Sequence, residues 1–228
     1  MASVLAVLSG SVRPLGRTLS GIDKKPVSGA QRVTALGLVG DSQADLRVHG
    51  GVDKAVHCYP RAHYSIWQQR FPSHPLLQAP GAFGENLSIE GMDEHDVCIA
   101  DRWRIGSVIF EVSQGRQPCF KLNLRFGVSD MAAQVQESLR AGWYLRVLEP
   151  GELRAGDHIE ILDRPYPEWT IARVLTIIRD REVDPAVIEP LLELPLPPSW
   201  RRLFERRLHS SQIEDWSRRM EQSGGDVA

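Results

Sequence analysis

The sequence predicts a mainly β protein with helices, in which a β-barrel-like domain precedes a small domain of three helices. Residues 1–165 contain many short runs of strand-forming residues, separated by turn pairs such as Gly-Asp and Pro-Gly. Two helical patterns interrupt these runs. Many strands with few helices are typical of a closed or half-closed β-barrel. After residue 165 the pattern changes to helical segments.

The strands are predicted where β-branched and apolar residues cluster. They cover residues 4–8, 32–36, 55–59, 108–112, 143–148 and 158–162. Two further segments, 101–109 and 152–160, each have the pattern of a strand, a glycine-centred turn and a second strand.

The two helices within the first domain have recognisable starts. The helix over residues 61–71 follows Pro60 and carries an apolar stripe that includes Tyr64 and Trp67. The helix over residues 129–139 begins with Ser129 and Asp130, which are suited to an N-cap.

The C-terminal helices are predicted over residues 171–178, 185–194 and 199–208. The arginine pairs in the last of them invite comparison with nucleic-acid-binding proteins. Residues 166–228, however, contain nine Arg, no Lys and eleven Asp or Glu, which indicates a solvated helical surface. The predicted domains are therefore residues 1–165, residues 166–220 and a disordered tail over 221–228.

Composition narrows the class of protein. The net charge is −2, so no strong overall field attracts nucleic acid or anionic lipid. No run approaches the roughly 20 apolar residues that span a bilayer. The three cysteines are odd in number and contain no C-x-x-C pair, which argues against a disulfide framework or a zinc ribbon. We expect a cytoplasmic protein without a membrane or a nucleic-acid polymer as partner.

Lysine is rare in this chain, with only four among 27 basic residues. Lys54 and Lys121 each lie within a dense polar motif. Lysine is a compact point charge whose pKa shifts readily, whereas arginine is a rigid fork. The use of lysine at these two positions therefore indicates a specific role.

The densest polar stretch contains Gly40-Asp41-Ser42-Gln43 and, further on, His49-Gly50-Gly51-Val52-Asp53-Lys54. Glycines allow backbone N–H groups to approach an anion closely. A charged lysine and a histidine in the same loop complete a candidate anion cradle. A tight turn between strands is the alternative interpretation.

A second motif is Phe83-Gly84-Glu85-Asn86-Leu87. Its carboxylate and amide offer both acceptors and donors, which suit recognition of the edge of a heterocycle. A hydrogen-bonded turn is the alternative.

The third motif is Arg116-Gln117-Pro118-Cys119-Phe120-Lys121-Leu122-Asn123. Nearby positive charge lowers the pKa of a thiol and favours the thiolate, which acts as a nucleophile or a metal ligand. Cys58 and Cys98 lie in apolar runs and are expected to be inert. Cys119 is therefore the candidate catalytic residue.

The motifs, in this order and at this spacing, resemble those of the MOSC family, named for the C-terminal domain of molybdenum cofactor sulfurase. The matching residues are Gly40-Asp41-x-Gln43, His49-Gly50-Gly51-x-x-Lys54-Ala55, Phe83-Gly84-Glu85-Asn86-Leu87 and Pro118-Cys119-x-Lys121-Leu122. Together with Trp143 and the helical tail, the whole chain resembles the bacterial 6-N-hydroxylaminopurine resistance proteins.

The resemblance implies a MOSC β-barrel-like domain, a C-terminal three-helix domain and a molybdenum cofactor, a pterin whose metal is held by the thiolate of Cys119. It also implies an oxidoreductase that detoxifies N-hydroxylated substrates, such as purine bases, by reducing them to amines. The cofactor-binding residues that it implies are His49, Gly50, Gly51, Asp53, Lys54, Glu85, Asn86, Arg116, Lys121 and Asn123.

The electrons for such a reaction must come from elsewhere. Three scattered cysteines do not hold an iron–sulfur cluster, and no G-x-G-x-x-G motif follows a predicted strand. We therefore expect a separate flavoprotein reductase as the electron donor.

Three other functions stay open at this point. The protein could be a carrier or sulfur-transfer protein for the cofactor, without turnover. It could be a cofactor-free cysteine enzyme that uses His49 or His57 as the general base. Or the helical tail could be the functional part, as a partner-binding bundle.

Overall fold

The computed structural model describes residues 1–45 and 49–221, apart from the side chain of Arg218. Its strands are β1 (Ser3–Ser9), β2 (Arg13–Leu15), β3 (Thr18–Ser20), β4 (Lys25–Pro26), β5 (Gln31–Thr34), β6 (Gly37–Leu38), β7 (Val56–Pro60), β8 (Leu87–Glu90), β9 (Arg102–Ile105), β10 (Val108–Gly115), β11 (Trp143–Glu149), β12 (Gly151–Leu153) and β13 (Ile159–Asp163). Residues 222–228 of the predicted tail lie outside the described part.

The α-helices are α1 (Ala62–Arg70), α2 (Lys121–Phe126), α3 (Met131–Ser138), α4 (Ile171–Arg179), α5 (Pro185–Leu192), α6 (Pro198–Ser210) and α7 (Ser217–Met220). Two short 3₁₀ helices cover Val52–Lys54 and Pro75–Gln78. Among the described residues, no helix has the length and apolar character that crossing a membrane requires.

The first domain contains one large sheet, with strand order β13-β9-β10-β11-β7-β8-β1-β4, and two small sheets, β12-β5-β6 and β2-β3. All neighbouring strands are antiparallel except the pair β7–β8. The two sides of this sheet meet, because Val4 N–H donates to the Asp157 carbonyl at 2.9 Å and Ile159 N–H donates to the Ala2 carbonyl at 3.0 Å. The sheet therefore curves back on itself, as the sequence predicts.

The barrel interior is filled by aromatic and branched side chains. Trp103 and Trp143 meet edge to face with ring centroids 6.0 Å apart, and both are fully buried. Tyr59 and Phe83 stack at 4.2 Å. Phe83 belongs to the second sequence motif, so that motif contributes directly to the core.

The predicted strands and helices are confirmed, with boundaries that differ by a few residues. The segment 101–109 is a hairpin of β9 and β10, as predicted. The segment 152–160 contains two strands that do not pair with each other: β12 pairs with β5, and β13 pairs with β9. The helix α2 was not predicted, because a helix of six residues shows too little periodicity.

The predicted cap of α3 is wrong in one respect. Asp130 occupies the N-cap position but its side chain makes no capping hydrogen bond. Instead the Asn123 side-chain oxygen accepts a hydrogen bond from Ala132 N–H at 2.7 Å. A residue of α2 thus satisfies one of the unpaired N–H groups at the start of α3.

Arg207 fixes the helical domain. Its side chain is fully buried and donates to the carbonyl oxygens of Ile177 and Ile178, near the end of α4, at 2.9 and 3.1 Å. It also forms a bidentate ion pair with Glu214, at 2.7 and 3.0 Å. Arg207 therefore connects α4, α6 and the segment that leads to α7.

We expect Arg207→Gln to destabilise the protein by about 3–5 kcal/mol, because it breaks a buried ion pair and leaves several carbonyl groups without a donor. Chemical denaturation measures this effect. The matched control is Arg206→Gln on the neighbouring, exposed residue, which should change the free energy of unfolding by less than about 0.5 kcal/mol. Equal effects of the two variants would contradict this role of Arg207.

Candidate functional site

A cleft opens beside the barrel where the loop with His49, the loop with Cys119 and the segment after β3 meet. Its inner chamber has a volume of about 80 Å³ and is open to solvent at its mouth. The lining residues are Ser20, Gly21, Ile22, Lys24, Ser42, Gln43, Ala44, His49, Lys54, His57, Phe83, Gly84, Asn86, Arg116, Cys119, Lys121 and Tyr144.

Cys119 lies between the end of β10 and the start of α2, and its side chain is half-buried. The other two cysteines are buried, as predicted, and all three are free. Burial raises the pKa of the thiols of Cys58 and Cys98. Cys119 is thus the cysteine that faces the cleft.

His49 contacts this thiol, with 3.4 Å between His49 Nε2 and Cys119 Sγ. Burial lowers the pKa of His49 to about 4, and the positive charges of Lys121, Lys54 and Arg116 act in the same direction. The imidazole is therefore neutral near pH 7. Its Nδ1 atom is buried and has no hydrogen-bond partner among the described residues.

Positive charge dominates the inner chamber. Lys24, Lys54, Arg116 and Lys121 all line it, and no carboxylate does so among the described residues. Arg116 Nη1 is buried without a hydrogen-bond partner in the described part of the chain. A buried, unpaired guanidinium nitrogen is costly. The chamber is therefore suited to a ligand with several negative charges.

The carboxylate of Asp41 neutralises one of these positive charges, that of Lys24. Its side chain is 2% exposed and forms an ion pair with Lys24. The carboxylate also accepts hydrogen bonds from Gly10 N–H at 2.9 Å, Gln43 Nε2 at 3.0 Å and Asn86 Nδ2 at 3.0 Å. The motif Gly40-Asp41-x-Gln43 thus has a structural explanation.

Asn86 lines the wall of the chamber, but its amide is occupied by the protein. Its nitrogen donates to Asp41 and to the Leu8 carbonyl, and its oxygen accepts from His57 N–H at 3.1 Å. This one side chain therefore ties β8 to β1, to β7 and to Asp41. One acceptor lone pair of the Asn86 amide is left for a ligand.

Three residues that the resemblance places at the cofactor do not line the chamber. Glu85 is fully buried and accepts from Gly81 N–H and Phe83 N–H, at 2.7 and 3.1 Å. Asp53 forms an ion pair with Arg146 at 2.7 Å. Asn123 caps α3 and donates to the Met220 carbonyl at 3.0 Å. In each of the three, protein groups bind at least one of the polar atoms that the prediction assigned to the cofactor.

The two loop glycines also lie outside the lining of the chamber. Gly51 has a φ of 88°, a backbone conformation that residues other than glycine rarely adopt. It directly precedes the 3₁₀ helix Val52–Lys54. Its role is therefore to orient the turn that places His49 and Lys54 on either side of it. The structure brings together Cys119, His49, Lys54, Arg116 and Lys121.

Lys24 and Tyr144 are among the lining residues that the sequence analysis missed. Lys24 was overlooked, although it is one of only four lysines, and the rarity that drew attention to Lys54 and Lys121 marks Lys24 as well. Tyr144 has no comparable signal in the sequence, because it is one of many residues of a strand. Its ring lies 5.9 Å from Lys54 Nζ and 5.1 Å from the His57 ring.

The cleft continues outward into a second space, the outer chamber. It shares Ala44, His49, Lys54, Cys119, Lys121 and Tyr144 with the inner chamber. Its other walls are the β2–β3 hairpin and residues of the C-terminal helices, namely Ser199 and Arg202 of α6 and Arg219 of α7. Cys119 thus lies where the two chambers join.

Comparisons with known proteins match both halves of this architecture. The MOSC domain family matches residues 45–160, and the family described as the YiiM-like 3-alpha helix domain matches residues 169–211. Protein YiiM of Escherichia coli is 40% identical over 202 residues, which is 88% of this chain and 90% of that protein.

The chain belongs to the MOSC domain family. The crystal structure of YiiM from Escherichia coli superposes with a TM-score of 0.82 at 34% identity, over 97% of this chain and 99% of that one. A protein of Gibberella moniliformis named Reductase is 38% identical over 86% of this chain, which matches only 35% of its length. That relative is thus much longer than this MOSC protein.

The C-terminal part of this MOSC protein holds the Cys119 loop on both sides. Arg219 Nη1 donates to the Pro118 carbonyl at 2.5 Å, and Phe120 N–H donates to the Arg219 carbonyl at 2.8 Å. A second nitrogen of Arg219 donates to Gln136 at 2.6 Å. The helical tail therefore takes part in building the site.

We expect Arg219→Leu to loosen this loop. Amide hydrogen exchange over residues 116–126 should become about tenfold faster, because the bonds to Pro118 and Gln136 are lost. Mass spectrometry of exchanged peptides measures this. Arg206→Gln, an exposed arginine of α6 outside the cleft lining, is the control and should leave the exchange unchanged. Unchanged exchange in Arg219→Leu would show that the contact does not restrain the loop.

The neutral state of His49 can be observed directly. An ordinary imidazole titrates near pH 6.5. Because its pKa is lowered to about 4, the His49 signals should stay constant between pH 5.5 and 8 and shift only at lower pH. Nitrogen-15 NMR titration, with assignment from His49→Gln, provides the measurement. A titration of these signals near pH 6.5 would contradict the burial and the positive surroundings of His49 that we describe.

Proposed function

We propose that this MOSC protein is a molybdenum-cofactor-dependent reductase that converts N-hydroxylated compounds, such as N-hydroxylated purine bases, into amines and so detoxifies them. The observation that carries the proposal is the position of Cys119. Its thiol lies where a strongly positive inner chamber meets an outer chamber that opens to solvent. A cofactor in the first and a substrate in the second would meet at this sulfur.

The residues present fit the cofactor. Within the described residues, no three His, Cys, Asp or Glu side chains group as a metal site, so Cys119 would be the one side-chain ligand of a metal that brings its other ligands with it. Thiolates are the ligands that soft metals prefer. Lys54, Arg116 and Lys121 would balance the negative charges of the cofactor's phosphate and dithiolene groups.

Cleavage of an N–O bond consumes two electrons, and no side chain of this chain supplies them; when bound, the molybdenum cofactor would provide this redox chemistry. The protein contributes protons and position. Burial lowers the pKa of Lys54, which makes its ammonium group a better proton donor. Lys54 lines both chambers, so its Nζ is suited to deliver a proton to the oxygen that leaves the substrate.

The electrons would reach the site from a separate flavoprotein reductase. The fungal relative that is named Reductase supports a redox role for this type of chain.

One contact favours a second candidate function, a cofactor-free cysteine enzyme. The neutral His49, 3.4 Å from the Cys119 sulfur, could accept the thiol proton as a general base. Such pairs usually have a third group that orients the imidazole. In the described part of the chain, however, His49 Nδ1 has no partner. This makes the cysteine enzyme the weaker of the two proposals.

The decisive experiment measures reduction of 6-N-hydroxylaminopurine by protein produced with the cofactor, with reduced methyl viologen as the electron source. We expect turnover that falls at least about a thousandfold in Cys119→Ser, because the sole side-chain metal ligand is lost. Cys98→Ser is the matched control, since a hydroxyl can keep the hydrogen bond from position 98 to the Pro167 carbonyl.

Each result separates the candidates. Molybdenum-containing protein without turnover would favour a carrier or sulfur-transfer protein. Hydrolytic activity in metal-free protein that is lost on alkylation of Cys119 would favour the cysteine enzyme. Turnover with NADPH alone would contradict the need for a separate electron donor.

A further inference from the structure

The outer chamber contains two arginines that the proposed reaction does not use. Arg17 lies in the turn between β2 and β3, and Arg202 lies on α6. Both are exposed and line the chamber. Neither makes a side-chain hydrogen bond or an ion pair with any described residue. Arg219, by contrast, is engaged by Pro118 and Gln136.

The charge balance at this entrance is positive. Asp45 supplies the one carboxylate among the described residues that line the outer chamber, against Arg17 and Arg202 in addition to the lysines at its inner end. Guanidinium groups match phosphate oxygens geometrically and can bind them through two parallel hydrogen bonds. The entrance therefore attracts anions, and phosphate in particular.

The same chamber has an apolar wall. Pro14, Leu19 and Phe120 line it, and the Leu19 side chain is 54% exposed. An exposed leucine and a half-buried phenylalanine in the lining of one chamber offer apolar contact surface for a planar ring. A ligand that suits the whole chamber thus has a flat apolar part and an anionic part.

We propose that the preferred substrates are N-hydroxylated purine nucleotides rather than free bases. The inference rests on the proposed reductase function and specifies its substrate class. Arg17 and Arg202 bind the phosphate at the entrance, the purine ring contacts Leu19 and Phe120, and the hydroxylamino group points inward to Cys119. The reacting atoms and the anionic group are then at opposite ends of the outer chamber.

The test compares kcat/KM of the holoprotein for 6-N-hydroxylaminopurine and for its ribonucleoside 5′-monophosphate. Reduced methyl viologen is the electron donor, so that docking of a protein donor has no influence. We expect kcat/KM for the nucleotide to be at least about tenfold higher, the magnitude of one charge-assisted hydrogen bond. Arg17→Gln and Arg202→Gln should each lower the ratio of nucleotide to base kcat/KM about tenfold.

The controls carry the same change of charge nearby. Arg13→Gln on β2 and Arg206→Gln, one turn further along α6, concern exposed arginines outside the cleft lining and should keep the ratio of the parent protein. Equal kcat/KM values for base and nucleotide, or an unchanged ratio in both Arg17→Gln and Arg202→Gln, would overturn the inference and leave the reductase function intact.

If neither compound is reduced, the proposed reductase function fails. A binding measurement then still tests the nucleotide site. Isothermal titration calorimetry of the holoprotein with adenosine 5′-monophosphate should show binding that Arg202→Gln weakens about tenfold and Arg206→Gln does not. Absence of binding, or equal binding by the two variants, would refute the nucleotide site.

Discussion

Positive charge around a single thiol is the constraint on which this structure depends. Lys24, Lys54, Arg116 and Lys121 converge on one cleft, and their mutual repulsion and partial burial oppose folding. Asp41 neutralises Lys24 from below. Burial lowers the pKa of His49, and three of these cations act in the same direction, so that the imidazole is neutral. An anionic ligand would complete the balance.

The barrel supports this arrangement through buried polar contacts. Asn86 joins β1 and β7 to Asp41, and Glu85 accepts hydrogen bonds from backbone N–H groups of the turn before it. The C-terminal helices act at the same place from the other side. Arg207 holds α4 and α6 together with the chain that leads to α7, and Arg219 then restrains the residues around Cys119. The two domains thus form one site.

The sequence predicted the fold well, because the relevant signals are local. Strand runs, the proline after which α1 begins and the change of composition near residue 165 each depend on neighbouring residues. The charged surroundings of Cys119 were also predictable, since Arg116 and Lys121, its charged neighbours in sequence, line the same chamber. The rarity of lysine pointed to Lys54 and Lys121.

The roles of the motif residues were less predictable. A motif shows that residues belong together, but it does not show which way each side chain points. The side chains of Glu85, Asp53 and Asn123 bond to protein groups. Their partners are Gly81, Arg146 and Ala132, and nothing in the sequence marks these residues as the partners. The outer chamber was not predictable from the sequence either, because Arg17 and Arg202, which both line it, are separated by 184 other residues.

The most direct test of this account is the molybdenum content of the purified protein. Elemental analysis should be made on protein from a host that synthesises the cofactor, for the parent chain, Cys119→Ser and Cys98→Ser. We predict near-stoichiometric molybdenum in the parent and in Cys98→Ser, and none in Cys119→Ser. Absence of molybdenum from all three, with the cofactor available in the host, would contradict the assignment of the cleft as a cofactor site.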